Sequence, residues 1–523
     1  AGLVIVITAS LIFRKQTKRS GQHDGAGKVT VTAGSGTTKN FLPGQILTMG
    51  FRRASFVWTE HHIPGSEIKT WESFTDQCDR IDEIQKVLDK DGKFDTFLEC
   101  LLKNASVSND YLNTRMPDWL DKDLLDDGCK FYTKLWPFIS YSFSWAVLGG
   151  FGAESASAVL LKSRYWASQG ESGRYDTWLR LRETLCWLYD CSVHGSYAFA
   201  EGQAAWRACL YVRFLHARTR RRIWRKGDFD VAKFGEPINQ LELSGTLLGS
   251  STLLLEGMEQ LAFGITISDR DKNAFVHLWR VIGFLFGIDD PINPCRDMDV
   301  EKMDVDSTSK VEADDDSMAT SSLSAFEMSK IRMESIFAYS IPENPDPKLS
   351  GVLAKHICES VSHGFRVENP AQGFIMSPGA IAMPAWLFLG QEYGHACGLP
   401  EVTIKEYWLG VIRRVFLGFT LASHLMIEKS MHVFRIPSFV YSDWIVHAAM
   451  KRFFGWTVDF IRSNQLAMGG KSRFGAMGAS EFAFSRDKFD QVNDIIDDGE
   501  GSGEDLANDI SEPMSPSNAP GPR

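Results

Sequence analysis

Residues 202–240 contain the side chains that are best placed to do chemistry. The first part of this stretch, residues 204–217, is apolar on nearly every side, which indicates a helix that crosses a protein core. Arg213, His216 and Arg220 interrupt it at positions i, i+3 and i+7, so they share one helical face. A neutral imidazole in this position can ligate a metal, and the guanidiniums can hold anionic groups beside it.

Basic residues then carry the same helix toward solvent, and Gly227 is a typical helix terminator. These residues are Arg218, Arg220, Arg221, Arg222, Arg225 and Lys226. A lone histidine on a mostly apolar helix is more often a satisfied core residue, and this alternative stands beside the ligand hypothesis. The sequence has no Cys-x-x-Cys-His motif and no other compact cluster of metal ligands.

The flanking residues carry a family resemblance. The pattern Arg213-x-x-His216-Ala-x-x-Arg220, the Gly-x-Pro-Ile-Asn-Gln turn at 235–240 and the helix with Thr246-Leu-Leu resemble the rubber oxygenase (latex-clearing protein) catalytic domain. Fungal relatives of that domain include ER-bound oxygenases of mycophenolic acid biosynthesis. The resemblance is firm over about residues 180–290, weaker toward residue 460, and absent from the tail.

This resemblance implies an all-α, globin-related haem b protein that cleaves isoprene-type C=C bonds with dioxygen. It implies His216 as the axial iron ligand, with Arg213 and Arg220 around the haem. The expected substrate is an apolar, isoprenoid-like small molecule, and dioxygen is the co-substrate.

A second helix carries a polar group at one end of an apolar face. The residues on that face are Arg180, Thr184, Trp187 and Cys191. Taken with the resemblance, this face predicts a distal pocket in which Arg180 and Thr184 meet dioxygen. The bacterial rubber oxygenases carry Arg-x-x-Lys-Thr here, whereas this chain has Glu183 before Thr184. Glutamate is a poor sixth haem ligand, so we expect an open distal site or another base.

Three assignments keep an alternative. The catalytic base is either Glu171 or Glu183. Arg180 and Glu183 can instead form a surface salt bridge. Thr246 matches the pocket threonine of the family, but its hydroxyl can instead bond back to the preceding helical turn.

Composition favours a large apolar core and gives no support to nucleic-acid binding. Hydrophobic residues make up 44% of the 523 residues, with 15 Trp and 35 Phe. The net charge is −10, but residues 296–316 carry −6 and residues 486–523 carry −7, which leaves about +3 for the rest. The basic run continues a buried helix without an aromatic-basic module, so we predict no nucleic-acid partner.

The cysteines indicate a reducing compartment. There are nine, an odd number, and they show no paired spacing. Cys186, Cys191 and Cys209 fall inside predicted helices, as buried free thiols do. A disulfide framework is therefore not expected.

Residues 1–13, AGLVIVITASLIF, are apolar and are followed at once by basic residues. A bilayer span needs about twenty residues, so we interpret this segment as a truncated membrane anchor. The basic flank predicts that the body of the protein faces the cytosol. The resemblance to ER-bound oxygenases implies that the membrane is that of the endoplasmic reticulum. A signal peptide would carry its charges before the apolar run. A buried strand is the other alternative, but the glycine-containing, basic linker at 14–40 argues against it.

Helical patterns dominate residues 41–465, which we predict to form one all-α domain. The later core helices are predicted at residues 238–263, 269–286, 326–341, 353–365, 404–426 and 438–461. An acidic insertion at 296–324 and an acidic tail at 466–523 lack apolar periodicity and are predicted to be disordered.

The resulting hypothesis is a haem b oxygenase that acts on a prenyl-type substrate. Two alternatives come from other classes. A peroxidase-like or electron-transfer protein would bind haem without cleaving an olefin. A membrane-tethered helical scaffold would purify without haem. The oligomeric state cannot be derived from these motifs.

Overall fold

The computed structural model describes most of the chain between residues 117 and 467. The described residues are 22–23, 29–32, 38–41, 74–75, 93–94, 96–99, 117–164, 166, 170–297, 324–342, 345–368, 376–434 and 443–467. The predicted anchor at 1–13 lies outside them. So do the acidic insertion, apart from its ends, and the tail beyond residue 467.

Helices form the body, which confirms the all-α prediction. In chain order they are α1 Lys122–Gly150, α2 Glu154–Ser163, α3 Gly170–Ser192, α4 Ala204–Lys226, α5 Val231–Phe234, α6 Gln240–Ser250, α7 Thr252–Leu261, α8 Asp269–Leu285, α9 Ala325–Ser340, α10 Ser350–Glu368, α11 Pro378–Ala396, α12 Ile404–Phe434 and α13 Asp443–Ala467. Two 3-10 turns lie at Gly195–Phe199 and Asp290–Ile292.

Three short strands precede the helices. They are β1 Gln22–His23, β2 Val29–Thr32 and β3 Thr38–Phe41, and they pair antiparallel in the order β1-β2-β3. The β2–β3 register runs from Val29 opposite Phe41 to Thr32 opposite Thr38. These strands fall within or next to the stretch that we predict as a linker, residues 14–40, where the sequence analysis expects no strand.

Helix α1 is the central element, and α8, α11 and α13 pack around it. Gly128 lies inside α1. A Cβ atom at this position would stand 2.2 Å from the Ala274 carbonyl oxygen of α8. Gly128 therefore permits the close approach of α1 and α8 and does not end a helix.

Most predicted helices are confirmed within a few residues, and one is divided. The pattern at 238–263 predicts a single helix, but the structure has α6 and α7, separated at Ser251. This residue has φ −122° and ψ −91°, outside the helical range. Its hydroxyl donates to the Leu247 carbonyl at 2.8 Å, so the side chain accompanies a change of direction that the apolar pattern does not reveal.

All seven cysteines in the described part of the chain are buried free thiols. Cys191 of α3 and Cys209 of α4 face each other, with 3.8 Å between their sulfur atoms. This contact fixes how the two helices of the candidate site lie side by side.

Candidate functional site

Helices α3 and α4 form an antiparallel hairpin that aligns the two predicted halves of the site. Both helices rise about 1.5 Å per residue. Thr184 lies seven residues before Cys191, and His216 lies seven residues after Cys209. The contact between these cysteines therefore sets Thr184 at the level of His216. By the same count, Arg180 lies near the level of Arg220.

A second pair of contacts supports this alignment at the far end of the hairpin. Arg180 Nη1 donates to the Arg164 carbonyl at 3.2 Å, and Arg222 Nη2 donates to the adjacent Ser163 carbonyl. Both acceptors lie at the C-terminal end of α2, where cations stabilise exposed helix carbonyls. Arg180 thus has a helix-capping contact that the sequence analysis does not anticipate.

Aromatic rings connect the two helices beside His216. The imidazole meets the Phe286 ring edge-on, with 5.9 Å between ring centroids. Phe286 also contacts Trp187 of α3, with ring centroids 5.5 Å apart. His216 is half-buried and Trp187 is buried. Phe286, at the end of α8, therefore forms an apolar wall between the two predicted faces.

Arg220 is fully buried, and two of its nitrogens hold the turn that follows α4. Nε donates to the Pro237 carbonyl at 2.9 Å, and Nη2 donates to the Ile238 carbonyl at 2.7 Å. Ile238 has φ +58°, a left-handed conformation that is strained for a β-branched residue. The side chain of Glu242 accepts the Ile238 N–H at 2.8 Å. We call this arrangement of Arg220, Ile238 and Glu242 the turn clamp.

The other residues of the Gly-x-Pro-Ile-Asn-Gln turn also have structural contacts. Gly235 has φ +72°, and a Cβ there would stand 2.6 Å from the Thr75 carbonyl oxygen, so only glycine fits. Asn239 caps α6 by accepting the Glu242 N–H at 2.9 Å. Gln240 donates to the Gly287 carbonyl at 2.8 Å and accepts the Asp289 N–H at 3.2 Å.

Glu242 is the titratable group that the sequence analysis misses. Burial raises its pKa from the ordinary 4.5 to about 7, while hydrogen bonds to its carboxylate and the charge of Arg220 act in the opposite direction. Its signal in the sequence is its place three residues after the Asn239 cap, where a carboxylate can reach back toward the turn.

The remaining predicted residues are placed unequally. Arg213 and Glu183 are buried, with 2% and 5% exposure, and Thr184 is half-buried. The Thr184 hydroxyl donates to the Arg180 carbonyl at 3.1 Å, the back-bond that helical threonines often make. In contrast, Glu171 is exposed in the first turn of α3, and Thr246 is exposed on α6.

Two buried donors near this site make no hydrogen bond to any described residue. They are Nη1 of Arg220 and the indole Nε1 of Trp187. A buried N–H without an acceptor costs about 1–3 kcal/mol, so each is suited to an acceptor on a bound group. Within the described part of the chain, no three His, Cys, Asp or Glu side chains are grouped to hold a metal by themselves.

Known proteins resemble the part of the chain that contains this site. Residues 141–347 match the family model described as ER-bound oxygenase mpaB/B'/rubber oxygenase, catalytic domain. The rubber oxygenase of Streptomyces sp. (strain K30) is 25% identical over 183 residues, which is 34% of this chain and 42% of that protein. The match thus spans less than half the length of that relative.

A solved structure of latex clearing protein in its closed state is also similar. It has 17% sequence identity and a TM-score of 0.39, over 68% of this chain and 77% of that one. The matched family region contains α2 to α9 whole and every residue of the turn clamp. Residues 141–347 are therefore similar to the catalytic domain of the ER-bound oxygenase mpaB/B'/rubber oxygenase family.

Proposed function

We propose that this protein is a haem b-dependent oxygenase that uses dioxygen to cleave a C=C bond in an apolar, isoprenoid-like substrate. The family match and the rubber oxygenase relative support the reaction class and the substrate class. One structural observation carries the cofactor assignment. His216 lies on α4 one helical turn before Arg220, whose guanidinium is fully buried and keeps one N–H group without an acceptor among the described residues.

The residues present fit a haem group. His216 would supply an imidazole ligand to the iron, and its contact with Phe286 would limit rotation of the imidazole ring. Arg220 and the buried Arg213 would hold the haem carboxylates, because guanidiniums bind carboxylates through charge-assisted hydrogen bonds. The turn clamp already fixes two nitrogens of Arg220, so the remaining Nη1 is preorganised. Haem, when bound, would supply the redox chemistry with dioxygen.

The chain itself would provide an apolar, water-poor pocket and a proton-transfer group. Trp187 and Phe286 form the apolar wall next to His216. Thr184 lies at the level of His216, and its oxygen can accept a hydrogen bond while its own hydrogen is donated to the Arg180 carbonyl. Glu183, the buried neighbour of Thr184, is the carboxylate that we assign to proton transfer. Arg180 would orient dioxygen or substrate one helical turn away.

Membrane attachment through residues 1–13 is part of the same proposal. The matched family is described as ER-bound, and a basic segment follows these apolar residues. We expect the anchor to lie in the endoplasmic reticulum membrane, with the catalytic domain in the cytosol. Full-length protein should stay in the microsomal pellet after a carbonate wash, and wholly soluble protein would exclude the anchor.

Haem binding by a His216→Ala variant tests the function. We expect the wild type to show a Soret band and stoichiometric haem, and to consume dioxygen while cleaving an olefinic isoprenoid. The variant should stay helical by circular dichroism and lose the Soret band. His356→Ala is the matched control, because His356 is also half-buried on a helix, where it contacts Thr177 at 3.1 Å. It should retain haem.

Each other outcome has a defined meaning. An unchanged Soret band in His216→Ala would refute the ligand assignment. Wild-type protein that purifies without haem and binds none on reconstitution would refute the cofactor. Bound haem without oxygen uptake on olefins would leave a haem-binding redox protein and would refute the oxygenase.

A further inference from the structure

Helix α12 is fastened to the body from its first turn to Glu428. At its first turn, Glu406 accepts hydrogen bonds from Ser377 and Thr403. At mid-length, a Cβ on Gly418 would stand 2.3 Å from the Leu261 carbonyl oxygen of α7. Near its end, Glu428 pairs with Lys134 of α1 at 2.5 Å. One side of α12 is thus covered by α1, α7 and α11.

The opposite side of α12 is an exposed apolar stripe, which we call the outer stripe. It consists of Trp408, Ile412, Phe416, Phe419, Met426 and Ile427, which are 42–69% exposed. Trp408, Ile412, Phe416, Phe419 and Met426 are spaced by three, four or seven residues, so they share one helical face, and Ile427 borders it. At about 1.5 Å per residue, this face is roughly 29 Å long. An apolar surface of this extent on a water-soluble body marks an interaction site.

Length and apolar composition alone would allow residues 404–430 of α12 to cross a membrane. The contacts argue against a crossing. Arg414, in the middle of the helix, lies over the Phe388 ring at 4.6 Å, and its neighbour Arg413 is exposed. Because the polar body covers the other side of the helix from its first turn to Glu428, only the outer stripe can enter lipid.

The charges on α12 indicate which kind of partner the outer stripe contacts. Lys405, Arg413 and Lys429 of α12 are exposed. The two carboxylates of α12, Glu406 and Glu428, are engaged by the body of the protein. Exposed cations and aromatic rings at the border of an apolar face match an interface with anionic headgroups.

We propose that the outer stripe lies at the boundary between headgroups and acyl chains of an anionic bilayer, with α12 parallel to the membrane plane. This surface would be a second membrane contact, separate from residues 1–13 and from haem binding. An in-plane helix of this kind buries its apolar face to a depth of about 5–10 Å.

A fluorescent probe on the stripe tests the proposal in the full-length protein. A Phe416→Cys variant carries an NBD fluorophore and is mixed with vesicles of phosphatidylcholine and phosphatidylserine. We expect a blue shift, with stronger quenching by spin labels near the headgroups than by labels at the bilayer centre. A Val231→Cys probe on α5 is the control and should not respond, because Val231 is also exposed but lies on another element. Unsubstituted protein measures labelling of the native cysteines.

This comparison distinguishes the stripe from the anchor. The anchor would bring the protein to the vesicle in both labelled variants, but only insertion of the stripe would place the probe at residue 416 in lipid. Adding Trp408→Asp and Phe419→Asp should abolish the blue shift at residue 416, whereas Val352→Asp on α10 should not. Three results would overturn the proposal. One is a Phe416 probe that ignores vesicles. Another is quenching that is strongest at the bilayer centre, which would indicate a spanning helix. The third is a blue shift that is already present without lipid. It would show that another part of this chain covers the outer stripe, or that a second copy covers it if the shift is lost on dilution.

Discussion

Substitution of Glu242 by Gln should remove a pH-dependent loss of stability at the turn clamp. Glutamine keeps a side-chain oxygen that can accept the Ile238 N–H, which Glu242 accepts at 2.8 Å. It lacks a charge at every pH. The variant therefore tests ionisation of Glu242 and leaves the shape of the turn nearly unchanged.

The magnitude follows from the raised pKa of Glu242, which is about 7 in the folded protein against an ordinary value of 4.5. The folded state holds this proton more tightly than the unfolded state. The protonated carboxyl therefore contributes its full stability below pH 4.5, and this contribution is lost as pH rises from 4.5 through 7. At about 1.4 kcal/mol per pKa unit, the loss is about 3 kcal/mol by pH 8.

The assay is denaturant unfolding of wild type and Glu242→Gln between pH 4.5 and pH 8. The two proteins should have similar unfolding free energies at the acidic end, and the variant should be more stable by up to about 3 kcal/mol at the alkaline end. Glu334→Gln is the positive control, because burial also raises the pKa of Glu334 to about 7 and this residue lies on α9, outside the clamp. If Glu334→Gln shows the pH-dependent gain and Glu242→Gln does not, the account of Glu242 is refuted.

Two further substitutions test the arginines. Arg220→Lys should lower the unfolding free energy by about 1–3 kcal/mol, because an ammonium group lacks the planar fork that reaches both the Pro237 and Ile238 carbonyls. An unchanged denaturation midpoint, equal to that of the exposed control Arg225→Lys, would contradict the clamp. Arg180→Ala should stay folded and keep haem, because the capping bond to the Arg164 carbonyl is worth only about 1 kcal/mol. It should lose most oxygen uptake, because Arg180 is the residue that we propose to orient dioxygen or substrate. Full turnover in this variant would limit Arg180 to the cap.

The sequence predicts local structure well where helix periodicity and end signals agree. Helix α4 is expected to end at Gly227, and the structure places this glycine at φ +66° with its N–H bonded to the Ile223 carbonyl. The division at Ser251 and the position of Gly128 inside α1 could not be predicted. Both depend on which distant surface packs against the helix, and periodicity does not contain that information.

The candidate site is also predictable from the sequence only in part. The shared face of Arg213, His216 and Arg220 follows from helical geometry, and the structure keeps these residues on α4. Their partners come from other elements. Phe286, which contacts His216, lies 70 residues later in the chain, so no local pattern connects them. A resemblance assigns Arg220 to the cofactor, but it does not show that two of its nitrogens hold a strained turn.

The contacts explain physically why the His216 helix and the Gly-x-Pro-Ile-Asn-Gln turn occur together in one pattern. Arg220 holds the turn at Ile238, and Gln240 of the same turn holds the backbone at Gly287. Gly287 directly follows Phe286, the ring that contacts His216. These contacts therefore lead from Arg220 through the turn and Phe286 back to His216, which lies four residues before Arg220 on α4. A change at the turn should therefore move the Phe286 ring beside His216 as well as the Arg220 guanidinium. Substitutions at Gln240 should consequently alter the environment of His216, even though Gln240 lies on a different helix.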